Sequence, residues 1–332
     1  MPEAVCLGEL LVDMVSDRAD ASLQEAPRFI KAPGGAPANV AVGLARLGVA
    51  SAFVGQVGND PFGSWLRDTI AREHVDVTQL LSSDVARTTI AFVATRRDGR
   101  KDICFYRNPG ADELLRPDDL SADLFEGVRV FHCGSVALSK SPCREAQLEA
   151  ARRAVEQGIL VSFDPNWRPS LWDDTKLAHD LIWQMIPLSD VVKVADEEWE
   201  FITGTADLAA GAAKIRAAGP RLVIVTLGAV GAYFNCAGAS GEVPGFSVDA
   251  VDTLGAGDAF VAGLLSQILR RDSLDTVLNE TALREIVRFA NACGALATQQ
   301  AGAIPALPTP EQVNDLLQET RAEEESYKWF QA

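Results

Sequence analysis

The chain has 332 residues, 48% of them hydrophobic, with 46 acidic against 30 basic side chains and a formal net charge of −16. That length buries a large core, as one α/β domain or one domain with an appendage. So acidic a balance argues against wrapping a nucleic-acid backbone, which takes concentrated Lys and Arg.

No apolar run approaches the length that crosses a bilayer, and no basic flank leads an early apolar segment, so no membrane partner is expected. Cys6, Cys104, Cys133, Cys143, Cys236 and Cys293 show no Cys-x-x-Cys spacing and lie mostly in apolar runs. Buried free thiols in a reducing cytoplasm are the expectation.

Apolar β-rich runs alternate with helical periodicity along most of the chain. Strands are predicted near Ala4 to Leu11, Ala50 to Val57, Val128 to Cys133, Ile159 to Asp164, Val191 to Val194 and Leu222 to Thr226. Helices are predicted near Ala36 to Leu47, Phe62 to Glu73, Arg144 to Glu156 and Leu208 to Ala218. Such alternation argues for an α/β fold with a mostly parallel sheet covered by helices on both faces. Ligands of such sheets lie beyond the carboxyl ends of the strands, where Asp164, Lys193 and Thr226 fall. Two stretches, Val12 to Ile30 and Arg87 to Tyr106, break the pattern with extended segments, and within the second Asp98-Gly99 is a turn signal between Thr88 to Thr95 and Lys101 to Tyr106. A small antiparallel sheet set apart from the main one is expected there. Glu311 to Gln318 reads as a closing helix, and Arg321 to Ala332, with Glu323-Glu324-Glu325, as a charged, frayed tail.

The densest chemistry lies in Val251-Asp252-Thr253-Leu254-Gly255-Ala256-Gly257-Asp258-Ala259-Phe260, which runs from an apolar segment through two glycines into a helical pattern. Small residues leave the first N–H groups of that helix uncovered, and such donors, with the helix dipole, hold anions. The N–H groups of Gly255, Ala256 and Gly257 suit a transferring phosphoryl group, and Asp258 in the first turn suits the proton of a nearby hydroxyl. A carboxylate at a helix N-terminus is expected to stay ionised and weakly basic. The plain alternative is a tight turn followed by an ordinary first-turn acid. Upstream, Asp13 follows the first strand, and Gly34-Gly35 admit a ligand close to the backbone ahead of a helix that Asn39 opens. A carboxylate and an amide so placed hold vicinal hydroxyls, although loop-capping and helix-capping roles also fit them. Neither a G-x-x-x-x-G-K-[ST] loop nor a strand-turn-helix G-x-G-x-x-G occurs, which removes P-loop kinases and dinucleotide enzymes. His74, His132 and His179 show no metal-ligand spacing, and structural or surface roles are expected of them.

Asp252 to Asp258 resembles the C-terminal signature of the ribokinase-like sugar kinases, the phosphofructokinase-B family, and Gly34-Gly35-Ala36-Pro37-Ala38-Asn39 resembles their N-terminal one. Between them, Phe105-Tyr106-Arg107-Asn108-Pro109-Gly110-Ala111-Asp112 and Asp164-Pro165-Asn166-Trp167-Arg168-Pro169-Ser170-Leu171-Trp172 look like segments of the fructokinase branch. The resemblance covers nearly the whole chain. It implies a ribokinase-like three-layer fold over residues 1–332, with a β-sheet lid near 12–30 and 87–106 closing over a sugar. It implies a sugar pocket of Asp13, Gly34, Gly35, Asn39, Phe105, Arg107 and Arg168, and an ATP site drawing on Lys193, Thr226, Gly228, Gly231, Gly257 and Asn291. Without the family, Thr226 to Gly231 reads as a hairpin turn.

The family often carries Asn-x-x-Glu after the strand ending at Val194, whereas this chain reads Ala195-Asp196-Glu197-Glu198. Glu198 is therefore expected to organise the waters of a Mg²⁺, with Asp196 and Glu197 open to reading as first-turn helix acids. Backbone oxygens near Asp252 and near Gln299 to Ile304 are expected, by the same resemblance, to hold K⁺. The activity implied is ATP-dependent phosphorylation of the primary hydroxyl of D-fructose. A 2-keto-3-deoxygluconate kinase, with Arg107 and Arg168 on the substrate carboxylate, or a nucleoside kinase is the alternative within the family. A catalytically silent interaction protein is the alternative outside it. An exposed lid edge is expected to allow a homodimer.

Overall fold

The computed structural model describes residues 1–18, 20–95 and 101–331; the turn signal at Asp98-Gly99 lies outside them. Among the described residues, thirteen strands form two sheets and are numbered in chain order: β1 (Ala4–Leu7), β2 (Leu11–Ser16), β3 (Phe29–Gly34), β4 (Ser51–Gly58), β5 (Leu80–Ser83), β6 (Ile90–Thr95), β7 (Lys101–Tyr106), β8 (Val130–Gly134), β9 (Leu160–Asp164), β10 (Val191–Ala195), β11 (Leu222–Thr226), β12 (Gly231–Cys236) and β13 (Ser240–Pro244). The larger sheet has the order β13-β12-β11-β10-β9-β8-β1-β4-β5. All its pairings are parallel except β11 with β12 and β12 with β13. Ten helices accompany them: α1 (Ala36–Arg46), α2 (Pro61–Arg72), α3 (Cys143–Glu156), α4 (Thr175–Met185), α5 (Asp196–Thr203), α6 (Leu208–Ala217), α7 (Ala256–Leu269), α8 (Glu280–Ala297), α9 (Ala303–Ala306) and α10 (Pro310–Gln331).

Side chains of a strand alternate between faces, and β1 divides accordingly. Ala4 and Cys6 join the apolar cluster shared with α1, α2, α7 and α8, while Val5 and Leu7 join the cluster under α3 to α6. The sheet is therefore sandwiched between two helical layers, and β1, buried on both faces, is apolar throughout. Missing side chains let the first layer close tightly: a Cβ on Gly43 of α1 would lie 2.6 Å from Ala262 Cβ of α7.

The second sheet, of order β3-β2-β6-β7, stands apart. It is mixed and not purely antiparallel as the sequence suggests, because β2 runs parallel to β6 in the register Val12↔Ile90. The predicted strand from Ala4 to Leu11 is in fact two: the chain leaves the main sheet after Leu7 and enters the second at Leu11. Both halves and the crossing residue Leu10 are buried, so the apolar run continues across the break. Asp13 lies within β2, not after a strand. At the other end of the chain, α10 extends well past Gln318, as its Glu, Ala, Arg and Gln content favours.

Candidate active site

Gly255 precedes α7 with a φ of 80°, a left-handed turn that Gly adopts without strain. A Cβ there would also sit 2.7 Å from Ala303 Cβ, so the turn can lie flat against α9. The N–H groups of Gly257 and Asp258 open the helix with no residue four back inside it, whereas that of Ala256 turns to Thr253 O at 3.4 Å. Asp258 is 7% exposed, and Asn39 Nδ2 donates to its Oδ2 at 2.8 Å. Asn39 is interior to α1, which Gly35 caps, so it neither opens nor caps that helix. Its Oδ1 is buried and has no partner among the described residues.

Burial pushes the Asp258 carboxyl above the usual aspartate range, and neighbouring Asp164 adds to this; the Asn39 amide and the charges of Lys193 and Arg168 oppose it without cancelling it. Burial thus works against the weak basicity expected from the helix terminus alone.

Lys193 projects from β10 to Asp164 at the end of β9, Nζ to Oδ2 3.0 Å, both side chains buried. Burial by itself would lower the lysine, but Asp164, Glu198 and Asp258 outweigh it and hold the ammonium charged. A Cβ on Gly257 would approach Nζ to 3.2 Å, so this cation lies directly beneath the first turn of α7. Asp164 Oδ1 is buried and has no partner among the described residues. Glu198 accepts from Ala195 N at 3.0 Å and Trp167 N at 2.6 Å, capping the start of α5 and fastening the segment after β9. Asn166 turns that segment with a φ of 45°, which Asn tolerates. Arg168 follows, bonded only weakly to the carbonyls of Asn166 and Trp167 at 3.2 and 3.3 Å. His132, buried against Ser162 Oγ, is held down to about 4 by burial and stays neutral, in a structural place.

Around the β11 to β12 connection, Thr226 ends its strand and Gly228 (φ 57°) faces open space, since a Cβ there would touch nothing within 4 Å. Gly231 differs. Its Cβ would meet Val243 O at 2.1 Å, so the bare backbone is required by the adjacent strand whatever binds nearby. The stretch is also a hairpin turn, as its unaided reading implies. Asn291 of α8 donates through Nδ2 to Val243 O and Pro244 O, both at 3.0 Å.

On the opposite side, Asp13 presses on Gly34, where a Cβ would overlap its Oδ2, and the backbone of Glu9 presses on Gly35, φ 112°. The two glycines thus pass between two acidic residues. Phe105 packs on the inner face of the second sheet with Leu11, Ala91 and Val93. Arg107, expected in the sugar pocket, has its buried guanidinium held by Asp112 at 2.7 Å and Ser139 Oγ at 3.0 Å. Asp252 binds Leu254 N and Gly302 N through its two oxygens, both at 3.0 Å, tying the loop before α7 to the loop before α9. Of the site residues, Glu9 gave no signal in the sequence; only its burial reveals it. Five of the six cysteines are buried thiols, but Cys104 is exposed on β7, an exception to the apolar placement expected.

A parallel sheet whose strand ends face a glycine-opened helix N-terminus with a buried carboxylate, under a separate small sheet, defines a ribokinase-like sugar kinase. A model of the pfkB family of carbohydrate kinases matches residues 1–310, and the chain belongs to that family. "Probable fructokinase-4" of Arabidopsis thaliana is 45% identical over 94% of this chain and 96% of its own length. Among solved structures, the fructokinase of Xylella fastidiosa with bound ATP superposes with a TM-score of 0.88 at 36% identity, covering 97% of this chain and 100% of its own. The fructokinase of Vibrio cholerae O395 with fructose, ADP and calcium gives 0.86 at 37% identity, covering 96% and 99%. A double mutant of that enzyme with fructose, ADP and potassium gives 0.85.

Proposed function

We propose that this chain transfers the γ-phosphoryl group of ATP to the primary hydroxyl of D-fructose, forming fructose 6-phosphate. The observation that carries the reading is the Asp258 carboxylate, buried at the opening of α7 and oriented by Asn39. Phosphoryl transfer needs in-line placement and countercharge more than covalent help. Asp258 accepts the hydroxyl proton, and its burial-raised basicity suits that role. The opening N–H groups of α7 and the ammonium of Lys193 below them supply fixed countercharge in a site shielded from water. Asp13 and the unpartnered Asn39 Oδ1 accept hydroxyl protons of the sugar, with Gly34 and Gly35 admitting it to the backbone. Thr226, Gly228, Asn291 and Arg168 face the nucleotide phosphates.

The residues fit a hydrated Mg²⁺: Asp164 Oδ1 is buried without a partner, and Glu198 lies beside it. Such an ion, held through waters by Asp164 and Glu198, would neutralise charge on the ATP phosphates. The Asp252 and Gly302 loops fit K⁺ by their mutual tie. Six unpaired thiols support a reducing compartment, for which we take the cytoplasm.

Fructose is favoured over an acid sugar because Arg107, half of the cation pair a carboxylate substrate requires, is already neutralised by Asp112. The test is kcat/KM with ATP across fructose, glucose, ribose, adenosine and 2-keto-3-deoxygluconate. Fructose should rank first. Faster turnover of ketodeoxygluconate would overturn the substrate and leave the kinase standing, whereas no turnover of any would favour a silent interaction protein.

A further inference from the structure

Glu9 stands between β1 and β2, where the chain passes from the main sheet to the smaller one, and it is 4% exposed. Its Oε1 accepts from Ala36 N at 3.0 Å, which anchors the first residue of α1. Its Oε2 is buried with no partner among the described residues. The other crossing between the sheets, after β7, carries Arg107, Asp112 and Glu113. The charged and titratable groups that face Glu9 are Arg107 and Asp112 from this second crossing and Cys143 from the start of α3. One guanidinium therefore serves Asp112 and Glu113 already, before any charge on Glu9 is added. A buried carboxylate in such company is disfavoured, and burial, opposed by the Ala36 N–H and by Arg107, raises this group to about 7.

We propose that Glu9 is a positioning residue for the sugar site, holding the Gly34 to Ala36 loop against the crossing between the two sheets, and that its protonation state sets how firmly the loop is held. This rests on the reading of the site as a fructose kinase. The neutral acid accepts the Ala36 N–H less strongly than a carboxylate would, but it does not compete for Arg107. The ionised group draws Arg107 away from Asp112 and Ser139, loosening both crossings beside the glycines that Asp13 and Glu9 enclose. Sugar affinity should fall as Glu9 loses its proton, with chemistry at Asp258 little affected.

The experiment measures KM and kcat for fructose at saturating ATP from pH 6 to 8 in the wild type, Glu9→Gln and Glu9→Ala, alongside the melting temperature of each unliganded protein over the same range. In the wild type KM should rise severalfold through about pH 7, while Glu9→Gln, uncharged but still able to accept the Ala36 N–H, keeps a flat profile near the low-pH value. Glu9→Ala should raise KM at every pH, with kcat changed less. The sign for stability follows from linkage: a carboxyl group raised on folding binds its proton more tightly in the native state, so stability declines as pH rises through 7. Glu9→Gln should remove that decline. Matching pH profiles of KM in wild type and Glu9→Gln, or an unchanged KM in Glu9→Ala, would overturn the proposal. The melting profile needs no substrate, so a failure of the fructose assignment shows as absent turnover with the Glu9-dependent decline intact.

Discussion

Asp258 combines two opposed effects on one carboxyl group: a helix N-terminus that favours its charge and a buried setting that disfavours it. Because burial wins, the base is stronger than an exposed aspartate and also protonates sooner on acidification. The kcat profile should therefore lose activity on its acid side at a higher pH than an ordinary aspartate gives. Asp258→Asn keeps the shape and the Asn39 contact region while removing the base. It should lower kcat by about 100-fold or more, with KM for fructose little changed, as steady-state rates will show; a variant keeping a tenth of wild-type kcat would refute the role. Asp258 was legible from its place after two glycines. Its partnership with Asn39, 219 residues away in sequence, was not, since local pattern carries no information about which distant elements meet. Arg107 is a second case. Its position invites a ligand role, and only the fold reveals Asp112 already holding it.

Among elements, the parallel sheet and most helices were readable because continuous apolar runs and helical periodicity each reflect burial directly. What periodicity could not give was pairing direction, hence the unforeseen parallel contact of β2 with β6. Of the antiparallel β12 and β13 at the sheet edge, only the hairpin turn that leads into β12 was readable. The loops before α7 and α9 form a unit joined by Asp252, by Val251 N to Thr298 O at 2.7 Å and by the contact of Gly255 with Ala303. If K⁺ binds this unit, it stiffens the anion-holding turn. Rates at fixed ionic strength should rise when a bulky organic cation is replaced by K⁺, and Asp252→Ala should lessen the gain. Equal rates in the two salts would remove the cation from the mechanism.

For the whole molecule, the smaller sheet leaves open edges at β3 and β7, and such edges invite pairing. Ile30 (63% exposed) lies on β3 and Tyr106 (67% exposed) on β7, on opposite faces of the sheet by register, and Phe29, Phe92 and Tyr106 form an edge-to-face aromatic row on the face away from Ile30. Pairing with a second copy of the chain is therefore the expectation to test at these edges. Light scattering should then give about twice the 35.5 kDa chain mass, and Ile30→Asp with Tyr106→Asp should return it to the monomer. A monomeric wild type at micromolar concentration would set the idea aside.

The packing of α1 against α7 also bears on how the chain matures as it leaves the ribosome. Domains fold largely as they emerge, N-terminal parts first. Yet the apolar side of α1, from Val40 to Leu44, is covered by Ala259, Ala262 and their neighbours, made more than two hundred residues later. The earliest helix therefore has that face uncovered for most of synthesis. The same late docking joins Asn39 to Asp258, so phosphoryl transfer begins only once nearly the whole chain has been made.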